Sequence, residues 1–379
     1  MFRFSARRGD ALGSHARGAE SRVRIWMTVN IFLLASLTML VIHTSGRIAA
    51  ATASTAAQAH ASAGANASIT GHTGTTIATN IPSKAQILAT QGKYFGVAEP
   101  GMPWSSSAGT QLAQTAGVPP DMVEYFVNWT QDFSAVPVQD AYAQGMLPVL
   151  TWEPSPGGNA HTTQVNFPEY SLSTIINGSH DAYIVKFADA VRDAKWPVAI
   201  RLAHEMNGNW YPWCEGVNGN TAGQYVEAWR HIHDVFSREH ADNVIWVWAP
   251  NIIRSASTPM AELYPGDAYV DWIGLSAYDV TEHTATQLIE PTLRLIRAFT
   301  AKPLLITELG SQPSASKAAW TADFLSWLPK QSDVIGFIWF EYTRAQGAGT
   351  DWGFDTDTET LASFRLGIQP IKLVVLPLE

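Results

Sequence analysis

The 379-residue sequence has one cysteine, Cys214. An intramolecular disulfide is therefore excluded. With 46% hydrophobic residues the chain needs none, because a chain of this length buries a large core. Charge is missing too: residues 48–83 contain no Asp, Glu, Lys or Arg. The net charge is −9, yet residues 1–47 hold seven Arg against Asp10 and Glu20, so the rest is more acidic still. An acidic body argues against nucleic acid as a partner. No glycine-rich phosphate loop follows an early strand, which argues against a doubly wound nucleotide-binding sheet. No repeat of solenoid or propeller period is visible. His231 and His233 lack the spacing of helical metal ligands, and a solvated helix face accounts for them.

The N-terminal part reads as targeting. Residues 1–24 form a basic segment, and an 18-residue apolar run follows from Ile25 to Ile42. It is long enough to span a bilayer, and the positive charge before it puts the N-terminus inside. We assign 25–44 to this segment. Small residues follow it, so it serves either as a cleaved signal or as an anchor that makes the membrane a partner. Both readings put the remainder outside the cell, secreted or tethered. Residues 45–91, rich in Ala, Ser, Thr and Gly, read as a disordered linker.

From residue 92 to 367 apolar runs alternate with amphipathic stretches. The runs are Tyr94–Ala98, Glu124–Asn128, Leu147–Trp152, Pro197–His204, Asn243–Ala249, Val270–Ala277, Lys302–Glu308 and Val334–Phe340. Helical patterns fit between them, among others over Asp181–Ala194, Ala222–Glu239, Ala285–Phe299 and Ala315–Trp327. Eight strands, each followed by a helix, predict an α/β fold of the (β/α)8 TIM-barrel type. Residues 368–379 form a C-terminal tail that matches no element of that pattern.

Two of the runs stop at a glutamate, Glu205 after the fourth and Glu308 at the end of the seventh. Strand exits are where a parallel barrel builds its active site. Two carboxyls at one mouth are the minimum equipment for breaking a glycosidic bond. One attacks the anomeric carbon; the other protonates the leaving oxygen and then activates water. Neither step asks for a metal or an organic cofactor, and none is expected. The chain also carries 15 Trp. Trp152 and Trp248 lie near strand ends, where they either stack on sugar rings or plug the barrel. Trp352, after the eighth strand, is a candidate rim contact. Glu153 is a candidate for touching substrate or for structural hydrogen bonding, and Glu99, Asp279 and Glu341 are further acids near strand exits. Cys214 reads as a small packed residue.

The segment His204-Glu205-Met206-Asn207-Gly208, with Trp210, Tyr211 and Trp213 just after it, resembles the acid/base motif of glycoside hydrolase family 26. Trp246 to Asn251, Tyr264 to Tyr278 and Phe337 to Phe340 are similar to that family's fifth-, sixth- and eighth-strand segments. The resemblance covers about residues 92–366. It implies a retaining endo-β-glycosidase acting on β-1,4-linked or mixed-linkage polysaccharide, mannan or β-glucan. It further implies Glu205 as acid/base and Glu308 as nucleophile. His204 and Trp210 would bound the glycone pocket, Tyr278 would donate to the nucleophile or sugar, and Trp339 would stack beneath the glycone ring. Arg201 would lie one layer deeper and support the acid/base. The third strand has no histidine at its end, as in the glucanase-type members. The expected partner is a β-linked polysaccharide or oligosaccharide, and the expected state a monomer. The alternative is a catalytically silent carbohydrate-binding barrel used in envelope or exopolysaccharide handling.

Overall fold

The computed structural model describes residues 81–157, 165–254, 257–280 and 283–378, all within the larger of two units, Ala50–Glu379. The basic segment, the apolar run at 25–44 and most of the linker lie outside the described residues. Among the described residues no helix is long and apolar enough to cross a membrane.

Eight parallel strands close into a barrel in sequence order. They are β1 (Tyr94–Ala98), β2 (Met122–Asn128), β3 (Leu147–Glu153), β4 (Val198–Leu202), β5 (Val244–Trp248), β6 (Trp272–Asp279), β7 (Leu304–Ser311) and β8 (Val334–Phe340). The runs are apolar almost without interruption because side chains on both faces are buried, one set in the barrel and the other under the helices. Between β8 and β1 the backbones come so close that a side chain on Gly336 would meet the Tyr94 carbonyl oxygen at 2.3 Å. The bare glycine at φ 157° is what lets this seam close.

Nine helices are described: α1 (Lys84–Leu88), α2 (Ser106–Ala116), α3 (Ala135–Ala143), α4 (Leu172–Ile176), α5 (Asp181–Ala194), α6 (Gln224–Arg238), α7 (Ala285–Ile296), α8 (Lys317–Trp327) and α9 (Thr358–Ile368). Their starts follow local chemistry. Ser83 with Gln86, and Thr284 with Gln287, close capping boxes at α1 and α7. Asp357 accepts from the Thr360 amide at the start of α9.

Three features depart from the sequence reading. Helix α1 falls inside the stretch read as linker. Its Ile87 is buried, and Tyr94 donates to the Ile87 carbonyl. The C-terminal tail, which matched no element of the pattern, is packed: Leu373 bridges to Lys93 beside β1, and Ile371, Val374 and Leu376 are buried. Finally, β4 ends at Leu202, before the glutamate motif, while β7 runs past Glu308 to Ser311. The register of β7 shifts against β8 between Ile306 and Leu309, an irregularity that re-aims the side chains at Glu308.

Candidate active site

The motif after β4 is a tight, strained turn. Ala203 and Glu205 both have positive φ, 43° and 54°. L-residues adopt that conformation at a cost of roughly 1–3 kcal/mol, so surrounding contacts must impose it. Four bonds do so. The Ala203 amide donates to the Trp152 carbonyl (3.0 Å) and the Glu205 amide to the Ala249 carbonyl (2.7 Å). Trp213 Nε1 donates to the His204 carbonyl (2.7 Å), and Cys214 Sγ lies 3.7 Å from the Glu205 carbonyl. Burial pushes the Cys214 thiol up to about 12, so this side chain packs rather than attacks.

The Glu205 carboxyl is held by two neutral donors. Asn251 Nδ2 donates to Oε1 (2.8 Å) and Trp210 Nε1 to Oε2 (2.7 Å). The indole of Trp210 reaches this position by lying over Gly208, where a Cβ would meet the ring at 2.5 Å. Asn251 is fixed in turn by Asn207, whose side chain accepts from the Asn251 amide and donates to its carbonyl, each at 2.8 Å. Burial, and next the charge of Glu308, raise the proton affinity of Glu205; Arg201, Asn251 and Ser276 act against this without cancelling it.

Glu308 is held differently. Arg201 Nη1 pairs with its Oε1, and the Tyr278 hydroxyl donates to Oε2 (2.5 Å). Arg201 is completely buried, and its other bonds reach Glu124 Oε1 (3.2 Å) and Ser276 Oγ (2.6 Å). Its hydrogen bonds thus support Glu308 and Glu124, not Glu205 as the sequence suggested. Inward-facing residues of β2, β4 and β7 meet at one level of the barrel, and the ion pair follows from that. His204 is fully buried, with Nε2 3.0 Å from the Tyr211 hydroxyl and 4.0 Å from Glu308 Oε1. Tyr211 stacks on Trp213 with ring centres 4.4 Å apart. Burial, then the charges of Glu205 and Glu153, push the Tyr211 phenol well up, so Glu153 also belongs to this neighbourhood.

The tryptophans are distributed differently from expectation. Trp339 does not lie beneath the mouth. It points outward from β8, against Trp320 and Phe324 of α8 and Phe364 of α9. Trp152 points outward from β3 and stacks on Phe187 of α5, ring centres 4.3 Å apart. Trp248 points outward from β5, donates to the Leu263 carbonyl and packs on Tyr264. All three are buried in the layer between barrel and helices. Trp352 is buried as well, 4.7 Å from the Tyr278 ring, where it backs the tyrosine that holds Glu308.

Residues not singled out from the sequence complete the site: Asn251, Asn207, Ser276, Glu124, Phe340 and Tyr342. Phe340 stacks on Tyr342 at 4.5 Å and meets Tyr278 edge-on. Strand parity was the available signal for Phe340, since an outward Trp339 puts its neighbour inward. Among the described residues no group of three or more His, Cys, Asp or Glu is arranged to hold a metal.

The sequence matches the model of glycosyl hydrolase family 26 over residues 69–319. It is similar to Endoglucanase H of Acetivibrio thermocellus, 34% identical over 278 residues, which is 70% of this chain and 29% of that protein. It is also similar to mannan endo-1,4-beta-mannosidase A and B of Caldalkalibacillus mannanilyticus, 25% identical over 62% of this chain and 49% of that protein. The chain thus spans less than half the length of either relative. Among solved structures, a modular endo-beta-1,4-mannanase from Cellulomonas fimi superposes with a TM-score of 0.59, at 18% identity over 77% of this chain and 75% of that one. A beta-mannanase from Bacteroides ovatus superposes with a TM-score of 0.57, at 18% identity over 77% of this chain and 92% of that one.

Proposed function

This chain belongs to glycosyl hydrolase family 26; from that premise we propose that it is a glycoside hydrolase that cleaves β-1,4-linked or mixed-linkage polysaccharide, mannan or β-glucan, through a covalent glycosyl-enzyme. The observation that carries this reading is the contrast between two carboxyls that feel each other's charge. Glu205 sits among neutral donors, with its proton affinity raised by burial and by Glu308. Glu308 is paired with Arg201 and takes a bond from Tyr278. Neighbouring carboxyls in unequal environments are what acid and nucleophile roles require. Glu308 attacks the anomeric carbon while Glu205 delivers its proton to the departing oxygen. Glu205, now a carboxylate, takes a proton from water, and that water displaces Glu308 with net retention.

The names of the relatives support both substrates, one being an endoglucanase and the other a mannosidase. A third strand ending in Trp152-Glu153 without a histidine supports the glucan. Secretion, with the segment at 25–44 as signal or anchor, and a monomeric state belong to the same reading and rest on the sequence alone. A catalytically silent barrel is not favoured.

The test is a product profile on glucomannan, barley β-glucan, galactomannan and xylan, with the anomer of the first product followed by NMR. Wild type is expected to release reducing sugar of retained configuration. Glu205→Ala and Glu308→Ala are each expected to lose at least 1,000-fold, roughly the scale on which such groups act. Near-normal turnover in either variant overturns the role given to that residue.

A further inference from the structure

Glu124 lies on β2 behind the two glutamates, with no exposed surface of note. Its Oε1 accepts from Thr151 Oγ1 and from Arg201 Nη1, the same nitrogen that pairs with Glu308. Its Oε2 is buried and has no hydrogen-bond partner among the described residues. A carboxylate with one bare charged oxygen in a core is costly, whereas a carboxylic acid with the proton on that oxygen carries no charge. Charge balance agrees. Arg201 pairs with two of the carboxyls, Glu124 and Glu308, through one nitrogen, while the charge of a second guanidinium, Arg254, acts on Glu205. One positive charge against the Glu124–Glu308 pair leaves one proton to be held there, besides the proton that the acid role gives Glu205.

We propose that Glu124 is a positioning residue that holds the second proton, leaving the Arg201 charge undivided for Glu308. The inference rests on the nucleophile role given to Glu308. Burial raises Glu124 to about 8, helped by the charge of Glu308 and opposed by Arg201 and Thr151. The groups around it are Thr151 on β3, Arg201 on β4, Glu308 on β7, Tyr278 on β6 and Tyr342 beyond β8. The charge of Glu124 acts on both phenols, whose protons burial already holds firmly. Once Glu124 ionises, it competes for Nη1. Glu308 then has less of the guanidinium to carry its charge as it departs, and the glycosyl-enzyme breaks down more slowly.

Glu124→Gln and Glu124→Ala test this in the full chain, with thermal melts to establish folding. Infrared difference spectra of wild type against Glu124→Gln are expected to contain the carbonyl stretch of a protonated carboxylic acid at about pH 6, titrating away on the alkaline side. In kcat against pH on barley β-glucan and glucomannan, Glu124→Gln is expected to move the alkaline limb upward and to make it shallower by one proton. Glu124→Ala leaves Thr151 and Arg201 facing a hole and is expected to lose at least tenfold in kcat, with Gln restoring most of the loss. Absence of the acid band, alkaline limbs that coincide, or Gln no better than Ala each overturn the proposal. The infrared signal needs no substrate. It therefore still reports on the Glu124 proton if Glu308→Ala keeps turnover and the nucleophile assignment fails instead.

Discussion

Single donors set the character of each glutamate. Tyr278 donates to Glu308 beside the Arg201 ion pair, and hydrogen bonds to charged partners are worth about 1.5–3 kcal/mol. Tyr278→Phe is therefore expected to lower kcat roughly 10- to 100-fold while the melting curve moves little, as steady-state kinetics would register. Asn251 stabilises the ionised form of Glu205. Asn251→Ala removes that bond, so the pH at which the acid loses its proton rises, and the alkaline limb of kcat/KM is expected to shift to higher pH. A limb that stays in place or moves down would separate Asn251 from the acid. The sequence made Glu205 and Glu308 legible because each follows an apolar run at a strand exit. It hid Asn251 and Ser276, whose importance lies in contacts 46 and 75 residues away in the chain, to Glu205 and Arg201.

At the scale of strands, eight elements were readable because a barrel buries both faces and leaves long apolar runs. That same continuity erases the alternation which tells inward from outward. Trp152, Trp248 and Trp339 were misread for this reason. The polar residues of the same strands carry the missing phase. Thr151 and Arg201 turn into the barrel to meet Glu124, so Trp152 beside Thr151 must turn out. Trp339→Ala is expected to cost about 3–5 kcal/mol and to lower Tm by roughly 10 °C through the loss of packing against α8 and α9. Trp339→Phe is expected to keep KM for polysaccharide close to that of wild type. A large rise in KM with an unchanged melt would return this tryptophan to the substrate.

The whole molecule stores protons. Burial raises Glu124 and Glu341 to about 8 and Glu99 to about 7, from the ordinary 4.5 of a glutamate. Between those limits the folded chain binds more protons than the unfolded one, so stability falls as pH rises from about 4.5 and levels off above about 8. Lys317 acts in the opposite sense. Burial lowers it to about 8 from 10.5, so its contribution recovers between those values as the unfolded chain loses its proton. Melts taken across pH are expected to give the highest Tm on the mildly acidic side and a decline toward pH 8. Glu341→Gln is expected to reduce that slope, and a Tm that climbs steadily from pH 5 to 8 would contradict the assignment. Of this global behaviour the sequence disclosed only the acidic excess, because proton affinities depend on burial that composition does not encode.

Helix α1 and the segment after α9 share one location. Lys84 pairs with Asp271 just ahead of β6, and Leu373 bridges to Lys93 just ahead of β1. Both flanks of the barrel therefore leave from its floor, at the opposite pole from the strand exits that carry Glu205 and Glu308. A support, dye or fusion partner coupled at the exposed Val375 would point the strand exits away from its point of attachment, so that a long, stiff glycan could reach them without meeting the tether.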